Sequence, residues 1–145
     1  MLIILNVVFG LYNSNIVYAG ESEYVESYKE EVGVSLFSYS CNKSMLWVLM
    51  NNDVKCADVV ITIYFEYADG DWVEVNDVLL DIDCYNGYSV SVSPNKYFNN
   101  GNDSGYCRRI ITFLNSSGTH YEYYLYAYAD CYGNVDFNTV INRVY

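Results

Sequence analysis

Few residues in this chain are equipped for chemistry. There are five cysteines (Cys41, Cys56, Cys84, Cys107 and Cys131) and one histidine, His120, in 145 residues. No CxxC pair exists, so a four-thiolate zinc site would need wide, irregular spacing, a poor match to zinc ligand patterns. His120 and Glu122 are two apart, which puts them on one face of a strand. Such a pair could begin a metal or hydrolytic site, but a metal needs at least one more ligand, and a lone His beside an acid is usually a surface hydrogen bond. Nothing in the sequence links Cys41 to His120 as a nucleophilic pair, and no G-x-S-x-G or P-loop pattern appears. Asp69 with Asp71, Asp81 with Asp83, and Asp103 offer oxygens to calcium, which takes about six to eight. No calcium-loop pattern accompanies them, and charge protecting a strand edge accounts for Asp81 and Asp83 equally well. The expectation is a non-enzyme with no catalytic residue, no metal and no cofactor.

Tyrosine is the distinctive resource, with 18 in the chain. In the run from His120 to Ala129, Tyr121, Tyr123, Leu125, Ala127 and Ala129 alternate with His120, Glu122, Tyr124, Tyr126 and Tyr128. The first set carries no charge and turns inward. The second leaves Tyr124, Tyr126 and Tyr128 as an outward ladder, about 7 Å apart at strand rise. Tyrosine offers flat apolar area and a hydroxyl at low entropic cost, which suits a contact surface. Protein contact and a platform for sugar rings are both open, beside plain support of the sheet by cross-strand packing. Trp72, after Asp69-Gly70, is a further exposed candidate, whereas Trp47 lies in an apolar run and belongs to the core.

The elements that must position these residues are strands. From residue 34 onward the apolar pattern has period two. It predicts strands over 34–40, 45–50, 58–67, 72–82, 88–93, 106–114, 120–129 and 135–144. Turn signals separate them at Asn51-Asn52-Asp53, Asp69-Gly70, Asn86-Gly87, Asn99-Asn100-Gly101-Asn102, Ser117-Gly118 and Gly133-Asn134. Residues 93–105 read as the longest loop, crossing between sheets. Short strands at regular spacing predict an all-β fold, an antiparallel β-sandwich of about seven or eight strands.

Ahead of the sandwich stands a leader. Residues 2–12 are almost wholly apolar, and Val17-Tyr18-Ala19 precede Gly20. That is the layout of a signal peptide over residues 1–19, although no Lys or Arg precedes the apolar run. An uncleaved anchor is the rival reading, but the apolar run is about half of the roughly 20 residues that span a membrane. Residues 20–32 form an acidic lead-in, helical or disordered, and 33–145 form the sandwich domain. The mature protein is expected to be secreted or at the cell surface, without membrane insertion once the leader is removed. Asn, Tyr and Ile enrichment reads as the codon bias of an AT-rich bacterial genome. The net charge of −11 disfavours nucleic acid and anionic membrane surfaces as partners.

Export favours disulfides. If successive strands alternate direction, Cys56 and Cys84 share one end of the sandwich, while Cys107 and Cys131 flank one hairpin at the other end. Cys56–Cys84 and Cys107–Cys131 are the expected bridges, each closing a loop of about 25 residues worth roughly 3 kcal/mol in the chain-entropy model. Cys41 is left over, free or bridging to a second copy.

Met50-Asn51-Asn52 at a strand end, followed by Val60-Ile61-Thr62-Ile63-Tyr64-Phe65-Glu66-Tyr67-Ala68-Asp69-Gly70, resembles the FxLYD-type immunoglobulin-like domains of secreted bacterial proteins. The likeness covers about half of the mature chain. It implies an extracellular β-sandwich module without catalytic residues. The reading as a whole is a secreted, non-catalytic module for protein contact or surface assembly, its partner an unknown protein or a glycan. A carbohydrate-binding domain using the exposed tyrosines is the alternative.

Overall fold

The computed structural model describes residues 4–6, 22–27, 33–34, 38–94 and 96–145. These form β1 (Ile4–Asn6), β2 (Ser22–Ser27), β3 (Gly33–Val34), β4 (Tyr39–Asn51), β5 (Val54–Ala68), β6 (Trp72–Cys84), β7 (Ser89–Val92), β8 (Tyr97–Asn99), β9 (Ser104–Leu114), β10 (His120–Asp130) and β11 (Val135–Val144), with no helix among the described residues. The fold is all-β and the pairings are antiparallel. One sheet runs β1-β2-β4-β5-β6, with β3 also on β4; the other runs β11-β10-β9-β7, with β8 also on β9.

Tight turns set the register. Asn52 and Asp53 take positive φ (49° and 62°) in a two-residue hairpin between Asn51 and Val54, the conformation that such loops demand and that short polar side chains tolerate. At the β9–β10 hairpin the Asn115 side-chain carbonyl accepts from the backbone N–H of Ser117 and of Thr119 (3.0 and 2.9 Å). Asp130 does the same for Tyr132 and Asn134 before β11.

Inner faces of the two sheets share one core. Val59, Ile61, Ile63 and Phe65 of β5 meet Ile111 and Phe113 of β9 and Leu125 and Ala127 of β10, all essentially solvent-free. Trp47, 1% exposed, packs edge-on against Tyr123 and Phe113, with centroids 5.2 and 6.0 Å away. Burying each such side chain contributes about 1.5–3 kcal/mol.

Several expectations are corrected. The strands expected over 34–40 and 45–50 are β3 and the single continuous strand β4. Its polar centre reads as a break in sequence, but it is satisfied sideways. Ser44 hydrogen-bonds Thr62 at 2.8 Å, and the Lys43 ammonium donates to the Gly133 carbonyl at 2.8 Å. The long loop does not carry the crossing. Residues 85–88 do, in a turn closed by the Tyr88 N–H on the Tyr85 carbonyl at 3.0 Å. Within the supposed loop, β8 resumes the edge along β9 that β7 begins, the break falling at Pro94, which has no ladder donor. In the lead-in, Ser22–Ser27 is strand β2 on β4 where helix or disorder is expected; the unpaired edge of β4 offers it a row of donors and acceptors. Of the expected leader, Ile4–Asn6 is placed, paired with β2, while the cleavage point lies outside the described residues. Connections within β4–β6 and β9–β11 are simple meanders, whereas the immunoglobulin sandwich uses Greek-key connections.

Candidate functional site

Strands β8, β9 and β10 assemble an aromatic face on the outside of the second sheet. In β10, Tyr121, Tyr123, Leu125, Ala127 and Ala129 are buried, which turns Tyr124, Tyr126 and Tyr128 outward. The hairpin register brings Tyr126 opposite Arg108 and Tyr128 opposite Tyr106. On the far side of β9, Tyr97 of β8 is also opposite Arg108. Five tyrosines therefore share this face with one arginine.

The geometry is dense. Tyr126 lies 6.1 Å from Tyr128 in a stacked pair at 17°, and 6.4 Å from Tyr124 in an edge-on pair at 83°. Tyr106 touches both Tyr126 and Tyr128, at 6.2 and 5.7 Å. The Arg108 guanidinium sits over Tyr97 at 4.5 Å and over Tyr124 at 5.0 Å. A hydrogen bond with Tyr126 raises the pKa of Arg108 further, so its charge is permanent. Burial among its neighbours, Tyr126 first, raises the Tyr128 hydroxyl above its ordinary value. Each such ring pair contributes about 0.5–1.5 kcal/mol, and each exposed cation–π contact about 0.5–1 kcal/mol. The face is thus preordered: its rings are held by one another and remain at least partly exposed.

Not every expected site residue belongs here. Trp72 shares the outward parity of Glu74 on β6, in the other sheet, and is not brought to the tyrosine ladder. His120 stacks on Tyr145 (4.8 Å, 9°) and exchanges backbone hydrogen bonds with it. The Glu122 carboxylate, nearly buried, accepts from Asn142 at 2.5 Å and from Arg143 at 3.1 Å. These bonds, that from Asn142 first, hold its pKa below the usual range. Both residues fasten the C-terminal strand. Among the described residues no three His, Cys, Asp or Glu side chains converge as metal ligands.

The five thiols are unbonded in this structure. Cys107 lies opposite Ala127, and Cys131 is four residues further along the chain, about 13 Å at strand rise and beyond bridging reach. The expected Cys107–Cys131 bridge therefore does not fit. Flanking one hairpin suggested proximity, but the hairpin register assigns Cys107 a different partner. Burial pushes the Cys107 thiol up to about 11, which makes it a poor nucleophile.

Sequence reasoning missed Tyr97, Tyr106 and Arg108. Tyr97 fell in the segment read as loop. Tyr106 and Arg108 alternate on β9 with the parity of the ladder, and counting back across the Asn115–Thr119 turn would have aligned them with Tyr128 and Tyr126. No protein-family model, curated protein or solved structure matches the chain.

Proposed function

We propose that this protein is a secreted, non-catalytic β-sandwich module that makes protein–protein contact through the outer face of its second sheet. The observation that carries the reading is the Arg108-centred cluster of Tyr97, Tyr106, Tyr124, Tyr126 and Tyr128. Tyrosine and arginine are the residues that interfaces favour, and rings already packed lose little freedom on binding. The apolar leader of the sequence supports export. The hairpins at Asn51-Asn52 and Asp69-Gly70 support kinship with immunoglobulin-like modules, while the meander connectivity departs from them.

A sugar platform presents ring faces to the ligand. Here Tyr126 and Tyr128 turn faces toward each other, and Tyr124 and Tyr97 give theirs to Arg108. Faces already engaged within the cluster are not offered to a sugar ring, which favours the protein reading. The test compares the full chain with a Tyr124→Ser, Tyr126→Ser, Tyr128→Ser variant of confirmed β-type circular dichroism. Each is immobilised against proteins from the surrounding culture and, separately, against a glycan array. A protein bound by the wild type and lost by the variant is the expected result. Binding that survives the substitutions, or tyrosine-dependent binding to glycans alone, overturns it.

A further inference from the structure

We propose that Cys56 and Cys84 form an intramolecular disulfide when the protein meets a low-molecular-weight disulfide. This inference is independent of the tyrosine face. Cys84 lies directly opposite Ala57, the residue after Cys56, on the adjacent strand. Cys56 is the extra residue of a β-bulge, because β4 pairs Leu49 with Ala57 and then Met50 with Lys55. A bulge lets two successive residues turn to the same side, so Cys56 joins Ala57 in facing the interior. It is fully buried beside Leu49, Asn51, Tyr88, Tyr121 and Tyr123. Cys84 has the inward parity of Val78, Leu80 and Ile82 and packs on the same core while staying partly exposed. Strand spacing and rise put the two Cα atoms about 6 Å apart, within the separation that disulfides span. The neighbouring backbone is already tied, since the Tyr85 N–H donates to the Cys56 carbonyl at 2.8 Å.

The exposures of the two thiols set the order of events. The Cys84 thiolate, reachable from solvent, attacks one sulfur of glutathione disulfide, and the S–S bond breaks. One glutathione leaves as a thiolate and takes up the proton lost by Cys84. Cys56 then gives up its hydrogen bond to the Val54 carbonyl (3.2 Å). As a thiolate it attacks the Cys84 sulfur of the mixed disulfide. The second glutathione leaves and takes up the Cys56 proton. Two protein thiols are oxidised and one glutathione disulfide is reduced to two thiols.

The experiment refolds the full chain in a glutathione redox buffer. Free thiols are then counted, and bridges are mapped by proteolysis without reductant and mass spectrometry. The expected product has a single bridge, Cys56 to Cys84, with Cys41, Cys107 and Cys131 reduced. It melts on the order of 10 °C above the reduced protein, as closure of a loop of roughly 28 residues implies. Cys107→Ser keeps the bridge, whereas Cys84→Ser abolishes both the bridge and the melting shift and leaves Cys56 unmodified. Five free thiols in the refolded protein, or a bridge joining any other pair, overturns the proposal.

Discussion

Gly133→Ala tests how the two sheets are locked at the β10–β11 end. Gly133 has φ +79°, and a Cβ built there would lie 2.6 Å from the Tyr67 ring of the other sheet. Two separate costs follow. Placing an L-residue in the left-handed region costs about 1–2 kcal/mol. Tyr67 must also swing away, and it stacks on Tyr39 at 5.1 Å and on Phe65 at 5.8 Å; each ring contact forfeited costs about 0.5–1.5 kcal/mol. The sum is about 2–5 kcal/mol, the upper end applying if both stacks are lost. The molecule supplies its own control. Gly118 has φ +86°, and a Cβ added there would meet nothing within 4 Å, so Gly118→Ala carries the backbone cost alone, about 1–2 kcal/mol. Urea unfolding of both variants, in the wild type and in a Tyr67→Ala background, separates the terms. Gly133→Ala should exceed Gly118→Ala in the wild type and match it once Tyr67 is gone. An excess that persists without the ring would refute the argument that Tyr67 fills the space above Gly133.

Two further outcomes follow from the same structure. Tyr126→Ala removes ring contacts to Tyr106, Tyr124 and Tyr128 and should destabilise by about 1–3 kcal/mol, the sum of three pairs discounted for exposure; a calorimetric melt within about 1 °C of wild type would show that the rings do not support one another. Folding lowers the pKa of Glu122, through Asn142 first and then Arg143, and that of Asp77 through Lys96. A lowered folded-state pKa gives stability that is present above the unfolded value near 4 and is lost as pH falls through the folded value. Glu122→Gln should therefore flatten the acid side of a stability–pH curve measured by denaturant titration, and an acid side as steep as in wild type would contradict this.

The parts of the fold legible in the sequence are those fixed by local pattern. Period-two alternation marked β5, β6, β9, β10 and β11, and the inward face of β10 followed from Leu125, Ala127 and Ala129 without charge. What was not legible depends on partners distant in sequence. Lys43 in mid-strand signals a break until Gly133 from the other sheet accepts its hydrogen bond. Tyr97-Phe98-Asn99 is too short and too close to Pro94 to read as a strand, and it is one because β9 offers an edge. Half of the candidate site was visible, since Tyr124, Tyr126 and Tyr128 share one strand. Arg108 and Tyr106 needed register, which the side chain of Asn115 sets by shaping the turn.

The outer faces of the two sheets differ in a way that bears on where the proposed partner would dock. On the first sheet the exposed apolar residues Val60, Tyr64 and Leu79 are interleaved with Asp58, Glu66, Asp81 and Asp83. Each of these three apolar residues has a carboxylate beside it on its own or the adjacent strand. A partner covering them would have to desolvate those charges, at a cost that ring contact does not recover. On the second sheet the tyrosines adjoin one another, and the charge at their centre is a guanidinium already spread across two rings. Arginine is weakly hydrated and is favoured when such a surface loses its water. In a chain with net charge −11, the proposed docking on the face formed by β8, β9 and β10 therefore desolvates fewer carboxylates than docking over Val60, Tyr64 and Leu79 would.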